Sequence, residues 1–109
     1  MQLLIYPVVE PVFDTPSYRD HAQSPTLTRA DMIAYWDAYL PGGGGDARAV
    51  PTRDTLAGLP PAHIVVAGID PLHDEGAMLA TRLEDAGGSA TLVDEPSLVH
   101  GFLRAASYA

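Results

Sequence analysis

Residues 63–71 read His63-Ile64-Val65-Val66-Ala67-Gly68-Ile69-Asp70-Pro71, a short apolar run that ends in an aspartate and a proline. The run is continuously apolar rather than alternating, which is typical of a strand buried on both faces of a parallel sheet. Proline is disfavoured inside a central strand but favourable in the first turn of a helix. The pattern therefore predicts a strand over 63–69 and a helix over 74–86, with Pro71 as an alternative, earlier start.

Strand and helix patterns alternate along the rest of the chain. Thr28 is a good helix cap, and Asp31 three residues later completes a capping-box variant. The other predicted elements are a strand over 2–9 that Pro7 ends, a loop over 10–25, a helix over 28–40, a broken connection over 42–61, a strand that begins over 90–93, and a last helix that opens at Phe102. Such alternation implies right-handed crossovers and a parallel sheet, so the predicted fold class is α/β, in one domain over 1–109.

Composition excludes several classes of function. Fourteen acidic residues against six basic ones give a formal charge of −8, which argues against a nucleic-acid or anionic-membrane partner. There is no cysteine for a disulfide or a thiolate metal site. No apolar run is long enough to span a bilayer, and the N-terminus lacks the pattern of a signal peptide. These features predict a cytoplasmic protein without a membrane span.

Asp70 and His100 are the candidate chemical pair. Asp70 ends the strand over 63–69, and His100 stands in Val99-His100-Gly101-Phe102, shortly after the next strand. Ligands and chemistry gather beyond the carboxyl ends of parallel strands. A carboxylate that orients an imidazole base there is the arrangement of a hydrolase. Two simpler interpretations stay open: Asp70 as a helix N-cap, which is compatible with the chemical role, and His100 as a surface residue.

The remaining polar groups carry weaker signals. His21 lies in a polar loop, His63 opens a strand, and His73 is expected to be solvated in the first turn of a helix. Asp74 and Glu75 favour that helix N-terminus through its dipole, and Asp94 and Glu95 are interpreted as charges at the exit of a strand. The sequence shows no cluster with the spacing of a metal site, so neither a metal nor another cofactor is predicted.

No serine has the setting of a hydrolase nucleophile. That setting is Gly-x-Ser-x-Gly between a strand and a helix, which projects the hydroxyl from a sharp turn. Ser89 has Gly87 two residues before it but Thr91 two residues after it, and it enters a strand. The other serines, Ser17, Ser24, Ser97 and Ser107, lack both glycines. A His-Gly-Gly-Gly oxyanion segment is also absent from the sequence.

Four segments of the chain resemble the hormone-sensitive-lipase-like carboxylesterases, a branch of the α/β-hydrolases, and the resemblance covers nearly all 109 residues. The segments are Leu4-Ile5-Tyr6-Pro7-Val8, Leu56-Ala57-Gly58-Leu59-Pro60-Pro61-Ala62, Gly68-Ile69-Asp70-Pro71-Leu72-His73-Asp74-Glu75-Gly76 and His100-Gly101-Phe102. The resemblance implies that Asp70 is the acid and His100 the base of a Ser-His-Asp triad. It also implies that the serine elbow, the oxyanion segment and the early strands belong to a missing N-terminal portion, and that about 10–45 form a cap-side connection and helix.

Several functions remain open at this point. The first is hydrolysis of a small carboxylic ester through an acyl-serine intermediate, with Met32, Tyr35 and Trp36 either lining an acyl pocket or simply forming core. The second is a catalytically inactive fragment, or a module that self-associates or binds its missing N-terminal half through open strand edges. A third is another α/β-hydrolase, such as a peptidase, which Leu-Pro-Pro and His-Gly-Phe make less favoured.

Overall fold

The computed structural model describes residues 1–42, 46, 48–51 and 53–105. It contains one parallel sheet with the strand order β1-β2-β3, and the α/β prediction is confirmed. The strands are β1 (Gln2–Ile5), β2 (Ala62–Ile69) and β3 (Ala90–Val99). The helices are α1 (Pro16–Asp20), α2 (Arg29–Tyr39), α3 (Arg53–Leu56), α4 (His73–Asp85) and α5 (Phe102–Ala105).

β2 is the central strand, and its sequence explains why. Ile64 and Val66 are fully buried on one face and Ala67 on the other, so an alternating pattern would have placed polar groups in a core. β1 pairs with one edge of β2 and β3 with the other. The strand predicted over 63–69 is confirmed to within one residue.

α4 packs closely on β2 because one of its residues is a glycine. A Cβ on Gly76 would stand 2.6 Å from a methyl group of Val66, which no side chain tolerates. Leu79 and Leu83 are buried in the same cluster as Val66. The Gly87-Gly88 pair predicts the end of this helix, with one of the two glycines in the left-handed conformation. The helix does end there, and Gly87 adopts that conformation with a φ of 88°.

α4 agrees with the helix predicted over 74–86 to within one residue at each end, and the earlier start at Pro71 is not observed, because Leu72 is the N-cap. The helical spacing also predicts that Leu72 shares one face with Leu79, Leu83 and Ala86, and here the structure differs. Leu72 packs in a second cluster, which contains Tyr18, Leu27, Met32 and Trp36.

β1 is shorter than predicted and β3 is longer. β1 ends at Ile5, two residues before the Pro7 that is predicted to end it and well short of Val9, because Tyr6 adopts a positive φ of 38°. β3 continues to Val99 through an irregularity opposite Ala67 and Ile69. A Cβ on Gly68 would clash with the Pro96 backbone, so the glycine lets the two strands approach at this point.

The described chain before β2 contains one helix that the sequence predicts and two that it does not. α2 is confirmed, with the full capping box between Thr28 and Asp31. α1 lies inside the stretch predicted as loop, where Thr15 caps it and Pro16 occupies its first turn. The four-residue α3 likewise lies in the connection predicted to be too broken for an element of any length. None of the helices in the described ranges is long and apolar enough to cross a membrane.

Candidate active site

Asp70 and His100 meet at the carboxyl edge of the sheet. Oδ2 of Asp70 lies 2.8 Å from Nδ1 of His100. The Asp70 side chain is 1% exposed, whereas that of His100 is 23% exposed. The sequence predicts this proximity, and the distance confirms it. A buried carboxylate on Nδ1 fixes the imidazole tautomer that presents Nε2 for chemistry.

The turn after β2 uses one carboxylate oxygen of Asp70 and its backbone carbonyl oxygen. Its Oδ1 accepts a hydrogen bond from the Leu72 N–H at 2.8 Å, and its backbone carbonyl accepts one from the His73 N–H at 3.1 Å. Asp70 thus stabilises the turn that leads into α4 while its other oxygen faces His100. The capping interpretation and the pairing with His100 coexist, although the residue at the N-cap position is Leu72.

Three neighbours hold His100 in place. The Thr26 hydroxyl donates to the His100 carbonyl at 2.6 Å. The Tyr6 ring lies 4.3 Å from the imidazole, centroid to centroid. Gly101 has a φ of 84°, so the chain turns away from His100 directly after it. Neither Thr26 nor Tyr6 is visible as a partner from sequence, because each lies more than 70 residues from His100.

A cavity of about 420 Å³ opens beside His100. Its lining consists of Val8, Leu27, Met32, Tyr35, Trp36, Tyr39, Ala49 and His100. The volume is that of a small-molecule site, and the imidazole of His100 forms part of its lining. Met32 and Trp36 are also buried in the second core cluster, so the two sequence interpretations of α2, core and pocket wall, apply together.

Two serines brace the turn that carries Asp70. Ser17 Oγ donates to the Pro71 carbonyl at 2.7 Å, and Ser24 Oγ donates to the Ile69 carbonyl at 3.1 Å. Both residues are buried. Their hydroxyls are therefore bound to backbone rather than directed at His100. Ser107 lies outside the described residues.

Glu75 has a role that its sequence position does not reveal. It is 2% exposed, and its Oε2 accepts hydrogen bonds from the Val9 N–H at 2.6 Å and the Glu10 N–H at 3.2 Å. The expectation of a simple helix-dipole charge is therefore incomplete, because the carboxylate tethers the segment after β1 to α4. Burial raises the pKa of Glu75 to about 7 despite these hydrogen bonds. Burial and the Glu75 charge likewise raise the pKa of Tyr18.

His73 is bridged rather than solvated, which corrects the prediction from sequence. Its Nδ1 lies 2.9 Å from Oδ1 of Asp74, and its Nε2 lies 2.8 Å from Oδ2 of Asp94. Burial alone would lower the pKa of His73, but the hydrogen bonds to Asp94 and Asp74 outweigh it, so that the pKa is raised. Asp94 lies within β3 rather than at a strand exit, which is a second correction.

No further chemical centre adjoins this pair in the part of the chain that the structure describes. His21 follows α1, and His63 lies within β2. Across 1–42, 46, 48–51 and 53–105, no three His, Cys, Asp or Glu side chains are grouped so as to hold a metal ion.

Comparisons with known proteins give a consistent result. A family model described as alpha/beta hydrolase fold matches residues 1–104. The chain is 40% identical over 108 residues to the carboxylesterase NlhH of Mycobacterium tuberculosis, covering 94% of this chain and 34% of that protein. It is 46% identical over 52 residues to human hormone-sensitive lipase, covering 48% of this chain and 5% of that protein.

Solved structures agree with the sequence relatives. The thermostable esterase from Pseudomonas putida ECU1011 superposes with a TM-score of 0.86 at 35% identity, covering 93% of this chain and 33% of that one. The chain thus spans about a third of the length of NlhH and of this esterase.

Proposed function

Because this chain belongs to the α/β-hydrolase family of esterases and lipases, we propose that it supplies the acid and base of a carboxylic ester hydrolase. Asp70 is the acid and His100 the base in this proposal. The observation that carries it is the 2.8 Å contact between Asp70 Oδ2 and His100 Nδ1 at the mouth of an apolar cavity.

The geometry suits general-base catalysis at His100. Asp70 holds the tautomer in which Nδ1 carries the proton, so the lone pair of Nε2 is available. Nε2 takes the proton of a serine hydroxyl as that oxygen attacks the ester carbonyl, and it returns the proton to the departing alkoxide. It then takes a proton from the water that attacks the acyl-serine carbonyl, and it returns that proton to the serine oxygen as the carboxylic acid leaves. The Asp70 carboxylate stabilises the imidazolium present between these transfers.

The nucleophile in this proposal comes from outside these 109 residues. Gly-x-Ser-x-Gly does not occur in the sequence, and the two buried serines near the Asp70 turn are bound to backbone carbonyls. The sequence spans about a third of each full-length relative named above. The chain by itself is accordingly proposed to be inactive.

The cavity favours a small ester with an apolar group. Its walls are mainly aliphatic and aromatic, so burial of a hydrocarbon or aryl group is favourable by about 25 cal/mol per Å² of apolar surface removed from water. α2 provides four of the lining residues, namely Met32, Tyr35, Trp36 and Tyr39. Residues of the proposed cap-side region, about 10–45, would thus contribute to substrate selection.

Hydrolysis of p-nitrophenyl acetate tests the proposal. The 109-residue chain is expected to show no turnover above its His100→Ala variant. The same chain extended by the coding sequence upstream is expected to contain Gly-x-Ser-x-Gly and to hydrolyse the ester, and His100→Ala should abolish that activity. Serine-directed labelling of the 109-residue chain, with turnover that His100→Ala removes, would place a nucleophile inside the chain and contradict the proposal.

The second candidate function is association, and the sheet edge favours it. Among the described residues, β1 is paired with β2 alone, and Leu3 within it is 60% exposed. An open edge with an exposed apolar side chain promotes pairing with another chain. Sedimentation and thermal unfolding at several concentrations distinguish the cases. A compact monomer with a concentration-independent transition would exclude association.

A further inference from the structure

His73 joins the two elements that carry the proposed acid and base. Its backbone N–H donates to the Asp70 carbonyl at 3.1 Å, so it belongs to the turn that holds the acid. Its side chain reaches across to Asp94 of β3 at 2.8 Å. β3 ends at Val99, and the next residue is His100.

The contact between His73 and Asp94 lies just before the point at which the pairing of β2 with β3 becomes irregular. Asp94 is paired with Val66 in the regular part of the β2–β3 ladder. The register becomes irregular between Ala67 and Ile69, where Gly68 and Pro96 approach closely. A side-chain link just before this irregularity restrains the last residues of β3, which the backbone ladder holds less regularly.

We propose that His73 is a positioning residue, which uses its contact with Asp94 to keep the Asp70 turn and the end of β3 at the spacing that the Asp70–His100 pair requires. The kinetic part of this inference rests on the proposed function. The structural part concerns only the His73–Asp94 contact and its effect on the Asp70–His100 contact.

Both ring nitrogens of His73 face carboxylate oxygens, at 2.8 and 2.9 Å. A neutral imidazole carries one N–H, so it can donate to one of them, whereas an imidazolium donates to both. The charged groups facing the ring are Asp74 from its own helix and Asp94 from β3. α1 contacts the same turn through the uncharged Ser17, whose N–H donates to Asp74 Oδ2 at 2.8 Å.

The bridge is therefore complete when His73 is protonated. The contacts with the two carboxylates raise the pKa of His73 above its ordinary value, so the imidazolium persists to higher pH than in a free histidine. The second donated hydrogen bond is lost as the pH rises through the raised pKa. The Asp94 side chain is 48% exposed, so water screens the contact and the coupling is of the modest size found for partly exposed pairs.

The first test uses the 109-residue chain and needs no activity. Solvent exchange of the His100 Nδ1 proton is measured by NMR in the wild type, His73→Gln, Asp94→Asn and Glu95→Gln. Glu95 is the next residue on β3 and is exposed, so Glu95→Gln removes the same charge without touching the bridge. Exchange is expected to accelerate about two- to fivefold in His73→Gln and Asp94→Asn, as for a partly exposed pair, and to stay unchanged in Glu95→Gln.

The second test uses the pH profile of kcat/KM in the active, extended protein. His73→Arg keeps a permanent positive charge that can donate to both carboxylates. It should match the wild type at pH 6 and exceed it about two- to fivefold once the pH has risen above the raised pKa of His73, where the wild-type histidine has lost its second proton. His73→Gln should be reduced at pH 6.

The outcomes separate the two proposals. Unchanged proton exchange in both folded bridge variants, or parallel pH profiles for the histidine, arginine and glutamine forms, would overturn the positioning role. Failure of the extended protein to hydrolyse any ester would overturn the proposed function instead, while the exchange measurement would still test the bridge.

Discussion

Two histidines lie beside carboxylates near the same edge of the sheet, and they differ in what their second ring nitrogen contacts. His100 uses Nδ1 for Asp70, and its Nε2 has no hydrogen-bond partner among the described residues. His73 uses both nitrogens, one for Asp74 and one for Asp94. A base needs a free nitrogen, whereas a bridge needs two occupied ones. The second nitrogen therefore distinguishes a chemical role from a structural one.

The carboxylates of the two pairs differ as much as the histidines do. The Asp70 side chain is 1% exposed and that of Asp94 is 48% exposed. Water screens the Asp94 contact, so its loss should cost little. Loss of the buried Asp70 charge leaves the imidazolium of His100 without its counter-charge where screening is weak.

The largest expected difference in kcat is between the alanine variants of His100 and His73. In the extended, active protein, His100→Ala should lower kcat on the order of 10⁶-fold, as for a missing triad base. His73→Ala should lower it only about two- to fivefold, since the contact is partly exposed. Steady-state hydrolysis of an activated ester measures both. Comparable losses in the two variants would contradict the distinction between base and bridge.

The next comparison replaces each carboxylate by its amide. Asp70→Asn can still accept the Leu72 N–H but presents no charge to His100, so kcat should fall on the order of 10⁴-fold. Asp94→Asn should cost about two- to fivefold. Thermal unfolding of both variants serves as the control. A loss in Asp70→Asn that follows a collapse of its Tm would indicate a structural role for Asp70.

A second buried carboxylate, Glu75, titrates near the pH at which histidines ordinarily do, and replacing it tests how burial changes a carboxylate. Burial raises the pKa of Glu75 from 4.5 to about 7. An acid with a raised pKa contributes stability below its unfolded value, and that contribution is lost as the pH rises through the folded value. Between pH 4.5 and 8 the free energy of unfolding should therefore fall by roughly 3 kcal/mol from this group.

Glu75→Gln removes this titration while its amide oxygen can still accept the Val9 N–H. Urea unfolding of the wild type and the variant at pH 5 and pH 8 measures the effect. The variant is expected to gain in relative stability toward pH 8. Glu84→Gln on the exposed side of α4 is the control and should show no such trend. A stability difference that does not change with pH would mean that folding does not raise the pKa of Glu75.

The sequence predicts the elements whose signals are local. The apolar run of β2, the Thr28–Asp31 capping box and the glycine after α4 each act within a few residues, and the structure confirms all three. The proximity of Asp70 and His100 was also predictable, because parallel strands place their carboxyl ends at one edge. Their catalytic role stays a prediction.

The features that the sequence did not predict depend on distant partners. Glu75 meets backbone groups 65 and 66 residues away, and Thr26 binds a carbonyl 74 residues away. Short helices such as α1 lack the length for a periodic pattern. The extension of β3 through Pro96 depends on the missing side chain of Gly68 on the neighbouring strand. None of these contacts leaves a local pattern in the sequence.

The smallest expected change in activity comes from Tyr6, whose ring packs on His100. Among the described residues, His73 has no such aromatic neighbour. The Tyr6 ring lies 4.3 Å from His100 and 5.4 Å from the Phe102 ring. Such ring contacts contribute about 0.5–1.5 kcal/mol. If that energy orients the imidazole, Tyr6→Leu should lower kcat/KM about two- to tenfold, since 1.4 kcal/mol corresponds to a factor of ten.

Tyr6→Phe is the matched control, because it keeps the ring and removes the hydroxyl. It should retain the activity of the wild type within about twofold, since the ring contact is preserved. Tyr6 also has a φ of 38°, and both variants keep a side chain at this strained position, so backbone strain does not distinguish them. An equal loss of kcat/KM in Tyr6→Phe and Tyr6→Leu would assign the effect to the Tyr6 hydroxyl. Packing of the Tyr6 ring would then not be a feature that distinguishes the role of His100 from that of His73.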